Sequence, residues 1–290
     1  MRYAYYPGCS LKTSAREYDL SVQAVCQELD IELVEVPDWN CCGASPAANM
    51  DPALSAALAT RNLRQAEGAG LDTVIAPCSG CYKYLRRARQ SLHDEPQVRE
   101  RVQNLLGEQS LGPLPAVKHP LEVLTHDLRT IAAAVKRPLH GLRVACYYGC
   151  VISRPRGGFD DPEDPTSMDR LMAALNAEVV PYAYKTRCCG GAVMMPSPEV
   201  AFDLTGHLLR KAQEQGANCL ALACPLCALL LDTYQSTIGR RLGTRFGLPI
   251  FYFTQLMGLA LGIDGERLGL RYNVVAPFEL LTEVGLEEAR

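Results

Sequence analysis

One cysteine pattern is written twice in this chain. Cys9, in Tyr6-Pro7-Gly8-Cys9, is followed after 31 intervening residues by Cys41-Cys42-Gly43 and after 35 more by Cys78-Ser79-Gly80-Cys81. Cys150, in Tyr148-Gly149-Cys150, is followed after 37 by Cys188-Cys189-Gly190 and after 34 by Cys224-Pro225-Leu226-Cys227. Ten of the 13 cysteines thus fall into two matching quintets, and a recurrence of this order and spacing marks an internal duplication. The expectation is two similar domains, 1–140 and 141–290, meeting near Arg137-Pro138-Leu139-His140-Gly141. Each is long enough to bury its own core and each holds one thiolate-rich site.

Composition narrows what such sites serve. With 48% hydrophobic and 21% charged residues the chain reads as an ordinary globular protein. A formal charge of −3 and a pI near 6.0 give no electrostatic footprint for nucleic acid. The opening Met1-Arg2-Tyr3-Ala4-Tyr5-Tyr6 lacks the apolar core of a secretory signal, and the most apolar run, Cys219 to Leu231, is short for a bilayer and contains Pro225. A cytoplasmic protein is expected, associated with a membrane only through partners. In that reducing compartment so many cysteines imply metal ligation or redox chemistry rather than structural disulfides.

Pattern reading gives an α/β chain. Strands are expected at 2–6, 31–36 and 73–76, with helices at 14–29, from Pro52 to about Glu67 behind a capping Asp51, and after Gly80. An irregular excursion over Leu106 to Pro120 precedes a helix at 121–135. The second half repeats the order: strand 142–147, helix 166–176, strand 178–182, helix 198–214, strand 219–223, helix 226–238, strand 249–253 and helix 254–261. This predicts two parallel, Rossmann-like sheets related by the duplication. Pro7-Gly8 turns the chain out of the first strand and places Cys9 on a loop. All three cysteine units of each half fall at carboxyl ends of strands, where parallel sheets gather their ligands, so five thiols are expected to converge in each half.

Thiolates select zinc, copper(I) or iron–sulfur clusters. Structural zinc takes four ligands, usually two close pairs, and a redox dithiol explains only Cys78/Cys81 and Cys224/Cys227. Both remain open. Iron–sulfur ligation is favoured, because four cysteines are the normal set and a fifth suggests an atypical cluster or an exchangeable position. Cys26, Cys146 and Cys219 fall inside a helix or strands and read as core residues. No histidine is spaced for metal binding.

With Tyr6-Pro7-Gly8-Cys9, Pro37-Asp38-Trp39-Asn40-Cys41-Cys42-Gly43 and Tyr147-Tyr148-Gly149-Cys150, both motifs complete across nearly the whole chain, the sequence resembles the cysteine-rich CCG domain family, specifically its heterodisulfide reductase B-type members. The resemblance implies one noncubane [4Fe-4S] cluster on Cys9, Cys41, Cys42, Cys78 and Cys81 and a second on Cys150, Cys188, Cys189, Cys224 and Cys227. It further implies a disulfide substrate cleaved between them, and partners: an iron–sulfur subunit resembling the C-type component of heterodisulfide reductase, a flavin subunit resembling its A-type component, and a hydrogenase or dehydrogenase. The chain itself has no complete dinucleotide or P-loop motif and no ferredoxin run. The same family also implies an electron-transfer subunit of a quinone-linked succinate, lactate or glycolate dehydrogenase, while a non-catalytic zinc module is the rival from another class. Lys185 and Arg187 before Cys188, and Arg154 and Arg156 after Cys150, are candidates to bind an anionic thiol, against the plainer reading that they offset cluster charge or face solvent. Lys83, Arg86, Arg87 and Arg89 are read as a solvated or partner-facing helix surface.

Overall fold

The fold is described from a computed structural model covering residues 1–44, 46–154 and 157–286. Eight strands form two four-stranded sheets, every pairing parallel. In the first lobe β1 (Arg2–Tyr5), β2 (Glu32–Glu35), β3 (Thr73–Ile75) and β4 (Ala116–Lys118) take the order β2-β1-β3-β4. In the second β5 (Arg143–Tyr147), β6 (Glu178–Val179), β7 (Cys219–Leu222) and β8 (Ile250–Tyr252) take the order β6-β5-β7-β8. The two orders are the same topology, as the cysteine duplication requires.

The helices of the first lobe are α1 (Gly8–Lys12), α2 (Arg16–Glu28), α3 (Pro46–Met50), α4 (Pro52–Gly68), α5 (Ser79–Asp94), α6 (Pro96–Leu106), α7 (Pro120–Leu124) and α8 (Leu128–Ala133). Those of the second are α9 (Cys150–Ser153), α10 (Ser167–Ala174), α11 (Pro198–Glu214), α12 (Pro225–Ala228), α13 (Gln235–Leu242), α14 (Phe253–Ala260) and α15 (Phe278–Glu283). Helix α4 starts where its signals lie: Asp51 accepts from Ala53 N at 2.9 Å and Pro52, which has no N–H to satisfy, takes the first helical position.

Several elements differ from expectation. The stretch expected to be irregular begins where α6 ends and contains the edge strand β4, whose three residues between Pro115 and the His119-Pro120 step carry no period. The helix expected over 121–135 breaks into α7 and α8, and that over 226–238 is interrupted by a π-helical stretch, Leu229–Thr233. Cys9 and Cys150 lie not on open loops but in the first turn of α1 and α9.

The lobes interlock through matching helices. Helix α14, buried at every one of its residues, packs on α2 of the first lobe, where Ser21 Oγ and Thr254 Oγ1 lie 2.7 Å apart. Its counterparts α7 and α8 pack on α10 of the second lobe. Buried on all sides, α14 has no solvent face and forms the centre of a shared core.

Candidate functional site

In each sheet the strand order reverses beside the central strand, between β2 and β3 around β1 and between β6 and β7 around β5, and such a switch point opens a crevice at the strand ends. The chain fills these crevices with sulfur. In the first lobe Cys9 follows β1, Cys41 and Cys42 follow β2, and Cys78 and Cys81 follow β3. Gly8 lets β1 exit beneath Cys81: its φ is +64° and a Cβ there would stand 3.0 Å from Cys81 Sγ. The approach to Cys41 is held by Asn40, whose carbonyl accepts from Tyr6 OH at 2.6 Å and Asn62 Nδ2 at 3.0 Å, while Asn40 N donates to Asn62 Oδ1.

The thiols form a chain. Cys42 is coupled to Cys81 and Cys41, Cys81 is also coupled to Cys78, and the charges of Cys42 and Cys9 bear on Cys41. Cys42 and Cys81 are buried and Cys9 and Cys41 exposed, so the set has an inner and an outer side. The hydrogen bond from Cys81 draws the Cys42 thiol down to about 7 against its burial, and the same bond pushes Cys81 up.

The second lobe repeats this. Tyr148 N and Gly149 N both donate to Lys185 O at 2.9 Å, which fixes the turn before Cys150. A Cβ on Gly149, at φ +73°, would stand 3.2 Å from Cys227 Sγ, the counterpart of the Gly8–Cys81 approach. Cys189 Sγ and Cys227 Sγ are 3.4 Å apart, Cys227 also bonds to Cys224, and Cys150 bonds to Cys188. Gly190 N donates to Cys188 Sγ at 3.3 Å and Gly191 N to Cys189 Sγ at 3.4 Å. Cys224 is drawn down to about 6, first by the hydrogen bond from Cys227 and also by the Ser79 hydroxyl of the other lobe. Cys150 is pushed up to about 11 by burial and then by the charge of Cys188.

The ten cysteines thus follow strand ends in two groups, one for each sheet. The donor set is all sulfur, it carries N–H donors aimed at two of its members, and in each lobe a glycine removes the Cβ that would crowd an inner thiol, features that suit an iron–sulfur group. Among the described residues no three or more His, Cys, Asp or Glu side chains centre on one single-ion position. Cys26, Cys146 and Cys219 lie outside the sets, buried in the core, where burial raises Cys26 and Cys219 to about 12.

The cationic candidates fall differently. The Lys185 ammonium is taken by Pro165 O at 3.0 Å, Asp169 at 3.0 Å and Asp164 at 3.1 Å, and it is the Lys185 carbonyl that serves the cysteine turn. Arg187 is exposed, with its carbonyl accepting from Tyr147 OH at 2.7 Å, and Arg154 is exposed at the end of α9. Arg156 lies outside the described residues. Arg86 and Arg89 line a cavity of about 1030 Å³ beside α5, tied to Tyr82 OH, Gly157 O and Leu114 O.

Sequence reasoning missed the residues between the two sets. Ser79 Oγ donates across the lobes to Ala223 O at 3.1 Å. His119, fully buried, bonds Pro77 O through Nε2 at 2.7 Å, accepts from Leu121 N on Nδ1 and also reaches Ala223 O, so Nε2 carries its proton. Burial holds it neutral, down to about 4. Each acquires its role from contact between lobes, and the one sequence signal was the position of Ser79 inside CysXXCys.

Comparison with known proteins places these features among relatives. The CCG cysteine-rich domain family matches residues 3–86 and 144–232, the two stretches that carry the quintets. The chain is 35% identical to the 8-methylmenaquinol:fumarate reductase membrane anchor subunit of Wolinella succinogenes over 94% of this chain and 96% of that one. It is 29% identical to the B-type component of the ferredoxin/F420H2-dependent CoB-CoM heterodisulfide reductase of Methanosarcina acetivorans, over 96% and 95%. A hypothetical protein from Helicobacter pylori shares the fold at a TM-score of 0.76 and 12% identity, over 94% of this chain, which spans about half of that structure at 51%.

Proposed function

Because the chain belongs to the cysteine-rich CCG domain family, we propose that it is the two-cluster iron–sulfur subunit of a multi-subunit oxidoreductase that cleaves a disulfide to two thiols. Cys9, Cys41, Cys42, Cys78 and Cys81 hold one [4Fe-4S] cluster of the noncubane kind, and Cys150, Cys188, Cys189, Cys224 and Cys227 hold the other. When bound, the pair would supply the two electrons and the sulfur-binding iron that opening one S–S bond takes. The chain's own contribution is placement. It keeps Cys42 and Cys224 easily deprotonated, aims N–H groups at Cys188 and Cys189, and leaves Cys9, Cys41 and Cys188 on the accessible side.

The observation that carries this reading is adjacency: Ser79, next to Cys78, donates to the carbonyl of Ala223, the residue before Cys224. Electrons would come from an iron–sulfur subunit and a flavin subunit resembling the C-type and A-type components of heterodisulfide reductase, with a hydrogenase or dehydrogenase behind them. A second reading rests on the 35% identical relative: an electron relay between a dehydrogenase and membrane quinone. Among the described residues no helix is long and apolar enough to cross a membrane.

Anaerobic purification of the full chain tests this. Two clusters predict about eight irons with matching acid-labile sulfide per chain, and a paramagnetic signal that changes on adding a thiol. Zinc without iron removes the proposal. A loaded protein indifferent to thiols but reoxidised by a menaquinone analogue selects the relay.

A further inference from the structure

Between the two sulfur sets lies a pair of tyrosines with nothing to bond. Tyr18 of α2 and Tyr252 at the end of β8 stack at 4.1 Å between ring centroids, 7° from parallel. They are 0% and 3% exposed, and neither hydroxyl has a hydrogen-bond partner. Tyr252 is registered opposite Leu222, two residues before Cys224, and its backbone N donates to Gln255 Oε1 at the start of its own helix. The charges of Cys224 and Cys78 bear on both phenols, and no thiol sulfur lies within hydrogen-bond distance of either hydroxyl.

A buried hydroxyl without a partner is costly, and two of them stacked together are unusual enough to require a cause. The other buried tyrosines of these lobes are satisfied: Tyr6 donates to Asn40 O, Tyr148 to Asp169, Tyr182 to Leu208 O. The surroundings of the orphaned pair offer sulfur. Hydrogen bonds to sulfur are one of the means by which a protein sets the potential of a thiolate-held cluster.

We propose that Tyr18 and Tyr252 are a donor pair shared by both centres, their hydroxyls bonding to sulfur at the Cys78 and Cys224 ends once the clusters are in place. This rests on the iron–sulfur reading above. It adds that the two centres have a common set of neighbours, so that removing one hydroxyl is felt at both. The residues position and tune, and neither takes part in covalent chemistry.

The test uses Tyr18→Phe, Tyr252→Phe and the double variant in the full chain, because phenylalanine keeps the stack and deletes only the oxygen. Without iron, thermal midpoints should match or exceed wild type, whereas Tyr182→Phe, which breaks a formed bond, should lower its own. With iron loaded, the double variant should release iron to a chelator roughly tenfold faster, and each single variant should lower the midpoint potentials of both centres, followed by low-temperature paramagnetic resonance. Potentials and release rates equal to wild type in a protein holding its full iron overturn the donor pair and leave the iron–sulfur reading standing. A marked loss of stability in the iron-free single variants also overturns it, because the hydroxyls would then already be bonded. Wild-type protein without iron removes both.

Discussion

The Ser79 hydroxyl, one residue past Cys78, donates to the carbonyl of Ala223, one residue before Cys224, at 3.1 Å. A single buried bond therefore joins the two CysXXCys units across the lobes. Ser79→Ala leaves the buried Ala223 carbonyl without this donor. Stability should fall by about 1–2 kcal/mol, read from the midpoint of denaturant unfolding of the iron-free chain. An unmoved midpoint would mean that the lobes are fixed without this bond.

Cys42 and Cys189 are inner members of separate sets. Cys42→Ala and Cys189→Ala should each reduce iron from about eight to about four per chain, by colorimetric iron and sulfide analysis under anaerobic conditions. Cys26→Ala and Cys219→Ala should retain the full complement, since both thiols lie in the core and burial keeps them protonated. Loss of all iron from either single-set variant would contradict two separately held groups.

Gly149 combines two constraints, a backbone at φ +73° and ψ 174° that side chains avoid and a Cβ position 3.2 Å from Cys227 Sγ. Gly216, at φ +83° with nothing within 4 Å of its Cβ position, has the first alone. Gly216→Ala should cost about 1 kcal/mol and keep its iron, while Gly149→Ala should cost about 2–3 kcal/mol and empty the second centre. Thermal melts and iron analysis on the pair separate strain from crowding. Equal behaviour of the two variants would refute the crowding argument.

Asp232 is pushed up from 3.8 to about 6 by burial, although Val274 N and Val275 N both donate to it. Between pH 4 and 6 the folded chain keeps a proton that the unfolded chain has released, so this contribution is fully present below pH 4 and lost as pH rises through 6. Asp232→Asn has no such proton. Relative to wild type it should gain about 2–3 kcal/mol between pH 4 and pH 7, measured by urea unfolding across that range. His119, lowered from 6.5 to about 4, acts in the opposite sense, its contribution present above 6.5 and lost as pH falls through 4. The variant is therefore left with the steeper loss in acid. A pH-independent difference between variant and wild type would place the Asp232 titration elsewhere.

Much of this was legible in the residues. Pro7-Gly8 signalled the exit from β1, Asp51-Pro52 the start of α4, and the order of single Cys, CysCysGly and CysXXCys the ends of three strands in each lobe. The edge strand β4 was not legible, because three residues flanked by prolines show no alternation. Nor was the break within 226–238, where the register change at Asp232 serves the distant backbone of Val274 and Val275. The centre of the molecule was hidden for a different reason. Tyr18 and Tyr252 are 234 positions apart in sequence (252 − 18) and look like ordinary core aromatics until the lobes are joined.

Helix α14 seals the first lobe from the far end of the polypeptide. Until Phe253 to Ala260 have left the ribosome, the face of α2 that bears Tyr18 and Ser21 stays bare, and the earlier half is an unfinished vessel. A fragment cut at the midpoint would be born with its seam open.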